Sequence, residues 1–215
     1  MTDGARRALI VAGGEAPGPE LLAAEGPWDV VVAADSGLDH AAVLGLAVDL
    51  VVGDLDSVSG TRLEEARSAG VAVESHPADK DATDLALALA AAIRRGATDL
   101  LVVGLGGGRP DHELANLLLL AAPEYAAVDV EARTAGGRFV VVRDRPRRFT
   151  GRPGDVLTLL PLHGPARAVH TRGLRWALDG DDLPAATTRG VSNELAAAEA
   201  TVVVGEGVLL AVQPG

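Results

Sequence analysis

Residues 30–57 read VVVAADSGLDHAAVLGLAVDLVVGDLDS. Val30–Ala34 is a short run of β-branched and small apolar side chains with no polar alternation, the pattern of a strand covered on both faces. A turn, Asp35-Ser36-Gly37, leads to a helical candidate over His40–Leu46 and then to a second apolar strand, Leu50–Val52. Working outward, the same grammar repeats. Strands are predicted at Ala8–Ala12, Val71–Glu74, Leu100–Val103 and Val128–Glu131, with helices at Arg62–Ala69, Asp84–Arg95 and His112–Leu120. Strand–helix alternation with nearly continuous apolar strands predicts an α/β domain built on a mostly parallel sheet. Ligands of such sheets bind at the carboxyl ends of the strands, so the strand-to-loop junctions are where chemistry belongs.

After about Gly136 the pattern changes. Phe139–Arg143, Val156–Leu160, Ala166–Thr171, Leu174–Leu178, Ala200–Val204 and Val208–Val212 are short strand candidates broken by Gly, Pro and Asp, without a helical period. This predicts a smaller all-β, sandwich-like domain. The boundary is placed near Ala132–Gly137, giving domains at 1–134 and 135–215.

Composition narrows the function classes. With no cysteine, disulfide scaffolds, thiol catalysis and Cys-ligated metal sites are excluded. A net charge of −11 lacks the basic face that replaces phosphate counterions, so nucleic acid is not an expected partner. The apolar run Ala8–Ala12 is too short for a signal-peptide core, and no stretch has the length to span a bilayer. The expectation is a cytoplasmic protein with no membrane partner. Excess acid also means that a phosphate substrate would need aimed arginines or a bound metal.

Three clusters can carry such chemistry. In Gly53-Asp54-Leu55-Asp56-Ser57 an apolar strand runs into two carboxylates at i and i+2, which in extended chain point the same way. Two hard oxygen ligands aimed together suit Mg²⁺ on a nucleotide, although acidic residues also simply end strands and make turns. The second cluster, His76-Pro77-Ala78-Asp79-Lys80-Asp81-Ala82-Thr83-Asp84, holds the only lysine of the chain and precedes an Ala/Leu-rich helix. Asp81 as N-cap with Asp84 at N3 is one account of its acids. Together with Asp54 and Asp56, Asp84 completing a metal site is the other. The third, Gly104-Leu105-Gly106-Gly107-Gly108-Arg109-Pro110-Asp111-His112, offers backbone N–H groups and a guanidinium fork to phosphate. A flexible connection with Asp111 as cap is its plainer reading. His112 is an acid–base candidate or a structural imidazole, and Asn116 follows one helical turn later on the same face. In the β half, Thr171-Arg172-Gly173-Leu174-Arg175-Trp176 and Ser192-Asn193 stand out. Trp176 serves either as core or as a stacking surface for a flat or cationic ligand.

These pieces, in this order and together with Ala34-Asp35-Ser36-Gly37, resemble the thiamine pyrophosphokinase family, across nearly the whole chain. The chain departs from the family pattern at Ser36, and at Gly106 and Pro110, without losing a candidate ligand. The resemblance implies an α/β catalytic domain joined to a β-sandwich that binds thiamine and dimerises. It implies a homodimer with active sites at the subunit interface. The implied reaction moves the β,γ-pyrophosphoryl group of ATP to the hydroxyl of thiamine, with Mg²⁺, releasing AMP. By position, Asp54, Asp56 and Asp84 resemble the metal-binding carboxylates. Asp35, Gly107, Gly108, Arg109, Asp111, His112 and Asn116 resemble the ATP site. Lys80, Asp84, Trp176, Ser192 and Asn193 resemble the thiamine site, with Asp81 or Asp84 as proton acceptor. The rivals are a pyrophosphokinase for another alcohol such as a hydroxymethylpterin, and a non-catalytic thiamine or nucleotide sensor on the same fold.

Overall fold

The computed structural model describes residues 5–23, 25–77, 79, 81–107 and 109–215. Contacts divide the chain into two units, one running to Leu119 and including Ala127–Ala135, the other combining Leu120–Ala126 with Gly136–Gly215.

Among the described residues of the first unit, six strands form one sheet: β1 (Arg7–Val11), β2 (Val30–Ala34), β3 (Leu50–Gly53), β4 (Ala72–Ser75), β5 (Asp99–Val103) and β6 (Asp129–Thr134). Every pairing is parallel, in the order β6-β5-β1-β2-β3-β4. Successive residues Ala8, Leu9, Ile10 and Val11 are all fully buried, which requires cover on both faces and explains the absence of polar alternation. Four helices connect the strands: α1 (Gly37–Val43), α2 (Gly60–Ser68), α3 (Asp84–Arg94) and α4 (Pro110–Leu120). On one face Ala41 of α1 packs with Leu9, Val11, Val31, Leu101 and Val103. Chain order steps one way from β1 to β4, then returns to the other side of β1 for β5 and β6. The loops after β1 and β5 therefore lie side by side, the crevice where open α/β sheets bind ligands.

Two helix starts differ from the sequence expectation. Thr83, not Asp81, caps α3: its hydroxyl accepts the Ala86 N–H at 3.2 Å, which makes Asp84 the first helical residue. A hydroxyl in extended backbone one residue before the helix reaches the orphan N–H groups of the first turn, and Asp81 is too far upstream to do so. Likewise α4 starts at Pro110, whose fixed φ suits a first helical position, so Asp111 lies within the first turn instead of capping it.

The second unit holds β7 (Gly137–Val142), β8 (Arg147–Thr150), β9 (Val156–Pro161), β10 (Ala166–Arg172), β11 (Asp179–Leu183), β12 (Asn193–Glu194), β13 (Glu199–Glu206) and β14 (Leu209–Pro214). They run antiparallel in two sets, β12-β9-β14-β7 and β11-β10-β13-β8. Alternate residues from both sets share one core: Val140, Val142, Leu157 and Leu159 meet Phe149, Val169, Val202 and Leu183, all fully buried. That is a sandwich. One strand expectation fails here. Leu174–Leu178 is a turn whose one β-bridge among the described residues is Leu174–Leu195, because Gly173 at φ +74° swings the chain off β10; the next strand is the acidic Asp179–Leu183. Leu174 and Leu178 are apolar because they fill the core from a turn. No described helix is long and apolar enough to cross a membrane.

Candidate active site

A cavity of about 890 Å³ opens at the carboxyl ends of β1, β2, β3 and β5. One wall is made by two glycine-bearing loops. Gly14 donates its N–H to the Gly104 carbonyl at 2.8 Å and Glu15 donates to the Gly106 carbonyl at 2.7 Å. A Cβ on Gly14 would stand 2.4 and 2.5 Å from the Gly106 and Gly104 carbonyl oxygens, so only glycine lets the loops close.

The opposite wall is acidic. Asp35, Asp54 and Asp56 bring carboxylate oxygens within 4.8 Å of one another. The extended-chain argument for Asp54 and Asp56 does not hold: β3 ends at Gly53, and Gly53 (φ +152°) and Leu55 (φ +66°) turn the backbone. The two carboxylates converge through this turn, closed by the Asp56 N–H donating to Asp54 Oδ1 at 3.3 Å. The turn-making role of these acids is thus real, and it is what aims them. Asp35 enters from the end of β2, itself at φ +50°, with its N–H on the Val52 carbonyl at 2.9 Å. Its Oδ2 accepts a very short hydrogen bond from the Ser57 hydroxyl, while its Oδ1 is buried with no hydrogen-bond partner among the described residues. Asp84, at the start of α3, lines the same cavity; its Oδ1 lies 3.1 Å from where a Cβ on Gly53 would be. The crowding shows in the pKa of Asp56, raised above the usual carboxylate value first by its hydrogen bond with the Asp54 carboxyl, then by the Asp54 charge, with desolvation, Asp35 and Asp84 adding. Four carboxyl groups gathered at the carboxyl end of this sheet are hard oxygen donors of the kind that could hold a divalent cation.

Arg109, His112 and Asn116 line the third side, and Asn116 donates to the Leu105 carbonyl at 3.5 Å. The Arg109 guanidinium grips Asp111 by two bonds, 2.6 and 3.2 Å, and that hydrogen bonding holds the Asp111 carboxyl at about 2. Asp111 itself does not line the cavity, nor does Asp81, whereas Gly107 does; of the acidic cluster Asp35, Asp54 and Asp84 line it and the exposed Asp56 stands at its edge beside Asp54. Lys80 and Gly108 lie outside the described residues. The cavity also includes Gly13, Gly14 and Glu15, which the motif reading did not single out, and Ser36, Ser57 and Thr83, which lie inside the quoted motifs but were given no role there. The signal for the first three was present: Gly13-Gly14 directly follows the first buried strand.

In the second unit Trp176 is 53% exposed, so it is no core residue. The Arg175 guanidinium sits over its ring, 4.7 Å from the centroid. Asn193 is buried beneath, bonded to the Trp176 backbone, and Ser192 is exposed, its N–H on the Thr158 hydroxyl at 2.9 Å.

Residues 26–131 match the family model for the thiamin pyrophosphokinase catalytic domain, and residues 145–209 match that for the thiamin pyrophosphokinase vitamin B1 binding domain. The chain belongs to the thiamine pyrophosphokinase family. The thiamine pyrophosphokinase of Bacillus subtilis is 24% identical over 173 residues, covering 75% of this chain and 76% of that protein. Thiamine pyrophosphokinase 1 of rice is 27% identical over 184 residues, which span 77% of this chain and 61% of the plant protein. The crystal structure of the Bacillus subtilis thiamine pyrophosphokinase superposes with a TM-score of 0.82 at 20% identity, covering 97% of this chain and 98% of that one, and so shares the fold. Within the thiamine pyrophosphokinase match, the catalytic-domain model takes in every acidic residue of the cluster as well as Arg109 and Asn116. Trp176 and Asn193 fall inside the vitamin B1 binding match.

Proposed function

We propose that the chain transfers the β,γ-pyrophosphoryl group of ATP to the hydroxyl of thiamine, yielding thiamine diphosphate and AMP. The observation that carries this reading is the convergence of Asp35, Asp54 and Asp56, with Asp84 beside them, at a cavity that the glycine-bearing loops and Arg109 also line. Residues 1–134 would serve nucleotide and metal, and 135–215 thiamine binding and dimerisation. The working form is a cytoplasmic homodimer with active sites at the subunit interface.

The donor set fits Mg²⁺: all oxygens, all carboxylate, one of them the buried, unbonded Oδ1 of Asp35. Asp54 and Asp56 would hold the ion with Asp84, and Asp35 joins them on the geometry. Bound there, it would neutralise charge on the phosphate oxygens. The remaining work falls to the chain. The glycine loops after β1 and β5, with Gly107 and Gly108, present backbone to the phosphates. Arg109 exchanges Asp111 for a phosphate, and His112 and Asn116 complete that side. The thiamine oxygen forms a bond to the β-phosphorus as the bridge to the α-phosphate breaks, and AMP leaves with the bridging oxygen. The hydroxyl proton passes to a carboxylate. Asp84 is better placed than Asp81, since it lines the cavity. Trp176, Ser192, Asn193 and Lys80 belong to the thiamine side, where an exposed aromatic face suits a thiazolium cation.

The test is to incubate the protein with ATP, Mg²⁺ and thiamine and to separate the products. AMP and thiamine diphosphate appearing together, only with metal, support the reading. ADP with thiamine monophosphate would make it a simple kinase. Thiamine bound without turnover would make it a sensor, and turnover only with a hydroxymethylpterin would change the acceptor.

A further inference from the structure

Two segments of the second unit are laced together under Trp176. Arg175 donates its N–H to the Glu194 carbonyl at 2.8 Å, and Ala196 donates to the Gly173 carbonyl at 2.8 Å. Leu174 and Leu195 bridge between them, both buried. The lower segment is anchored in turn, because Asn193 and Glu194 pair with Leu157 and Val156 of β9. Ser192 at φ +56° bends the chain into that pairing.

Asn193 is the link between this anchor and the indole. It is only 5% exposed. Its Oδ1 accepts the Trp176 N–H at 3.1 Å and the Glu194 N–H at 2.8 Å, and its Nδ2 donates to the Trp176 carbonyl at 2.7 Å. A neutral amide has two donors and two lone pairs, so three of its four positions are taken by backbone. Both backbone polar groups of Trp176 are satisfied by one side chain. A carboxylate would face the Trp176 carbonyl with no proton to give, and an aliphatic residue would leave buried backbone groups unpaired. The ring stays exposed, yet its main chain is gripped, and Glu194 Oε2 holds Arg175 against it at 2.8 Å. An exposed aromatic on a buried polar clamp is a surface set before any ligand arrives, which lowers the ordering cost of binding.

We propose that Asn193 is a positioning residue, which does not touch the substrate but fixes Trp176 for the cationic ring of thiamine. This rests on the reading of Trp176 as the thiamine surface, and it moves Asn193 from the ligand contacts to the support beneath them. The distinguishing measurement is a double-mutant cycle on thiamine KM with Trp176→Ala, Asn193→Ala and both together. Each single change should raise KM about tenfold while kcat stays within about twofold, since a stacking surface serves ground and transition states alike. The double variant should be no worse than Trp176→Ala. Multiplied effects would mean that Asn193 contacts thiamine itself, and an unchanged KM in Asn193→Ala alone would show that Trp176 needs no clamp; either overturns the proposal. A KM untouched by Trp176→Ala would instead sink the thiamine reading of the ring. Should Asn193→Ala fail to fold, Asn193→Ser keeps a polar group in the gap and takes its place in the cycle. In a Trp28→Phe background the fluorescence of Trp176 gives a readout free of turnover. Faster anisotropy decay in the Asn193 variant is expected, and an unchanged decay refutes the clamp.

Discussion

Gly14→Ala tests whether the wall of the cavity depends on two loops meeting without a side chain between them. The added Cβ would stand 2.4 Å from the Gly106 carbonyl oxygen and 2.5 Å from that of Gly104, both backbone atoms that no rotamer change can move. Each loop must then retreat by roughly half an ångström or more, as in any overpacked interior, at about 1–3 kcal/mol. The retreat stretches the Gly14 and Glu15 hydrogen bonds, now 2.8 and 2.7 Å, each worth about 0.5–1.5 kcal/mol net. Allowing for partial relaxation, the expected loss is about 2–4 kcal/mol, or about 5–15 °C in melting temperature for a chain of this size. Gly60→Ala is the control, because its Cβ meets nothing within 4 Å at the first residue of α2. It should be neutral or stabilising by up to about 1 kcal/mol. Thermal and urea melts of both variants decide the matter, with the KM for ATP followed in parallel and expected to rise only for Gly14→Ala. If Gly14→Ala melted within about 0.5 kcal/mol of Gly60→Ala, the loops would be free to part, and the close approach would not define the cavity wall.

Asp56→Asn should lower turnover by at least about a hundredfold, yet raise the melting temperature without metal. The Asp56 carboxyl titrates high because Asp54 crowds it, so its charge destabilises the fold above the carboxylate range and ceases to matter once low pH protonates it; a melting temperature indifferent to the substitution at neutral pH would refute this. The Asp111 carboxyl should titrate at about 2 by NMR, rising towards the ordinary carboxylate range in Arg109→Gln and on addition of Mg²⁺–ATP. Because that pKa is depressed, the pairing is in place above the ordinary range and fades as pH falls towards 2; an Asp111 midpoint unmoved by Arg109→Gln would mean another partner. Thr83→Ala removes the cap of α3 at a cost of about 1 kcal/mol and loosens Asp84 in the first turn, so kcat should drop along with stability. A stable variant with native kcat would show that Asp84 needs no helix to hold it.

Much was legible in the sequence because it depends on local patterns. Runs such as Val30–Ala34 and Leu100–Val103 are apolar throughout, and only a sheet covered on both faces explains them. The change of pattern after Gly136 marked the sandwich for a similar reason. Where the reading slipped, a local rule had two answers. Leu174 and Leu178 are apolar like a strand but fill the core from a turn. Asp81 is a good capping residue, but Thr83 stands at the right distance from the Ala86 N–H.

The amino-acid sequence alone determined the two kinds of domain, the loops that bear the chemistry, and through its motifs the family. Burial periodicity and turn chemistry act over a few residues, and those residues are contiguous. Only the tertiary structure decided what meets what. The order β6-β5-β1-β2-β3-β4 sets Gly14 against Gly104, and it brings Asp35 to Asp54 and Asp56 from a different strand. Positive φ at Asp35, Gly53 and Leu55 aims those carboxylates, and β12 carries Asn193 beneath Trp176. Such meetings depend on which strands pair and at what register. Those are hydrogen-bonding choices between distant segments, and no short stretch of sequence records them.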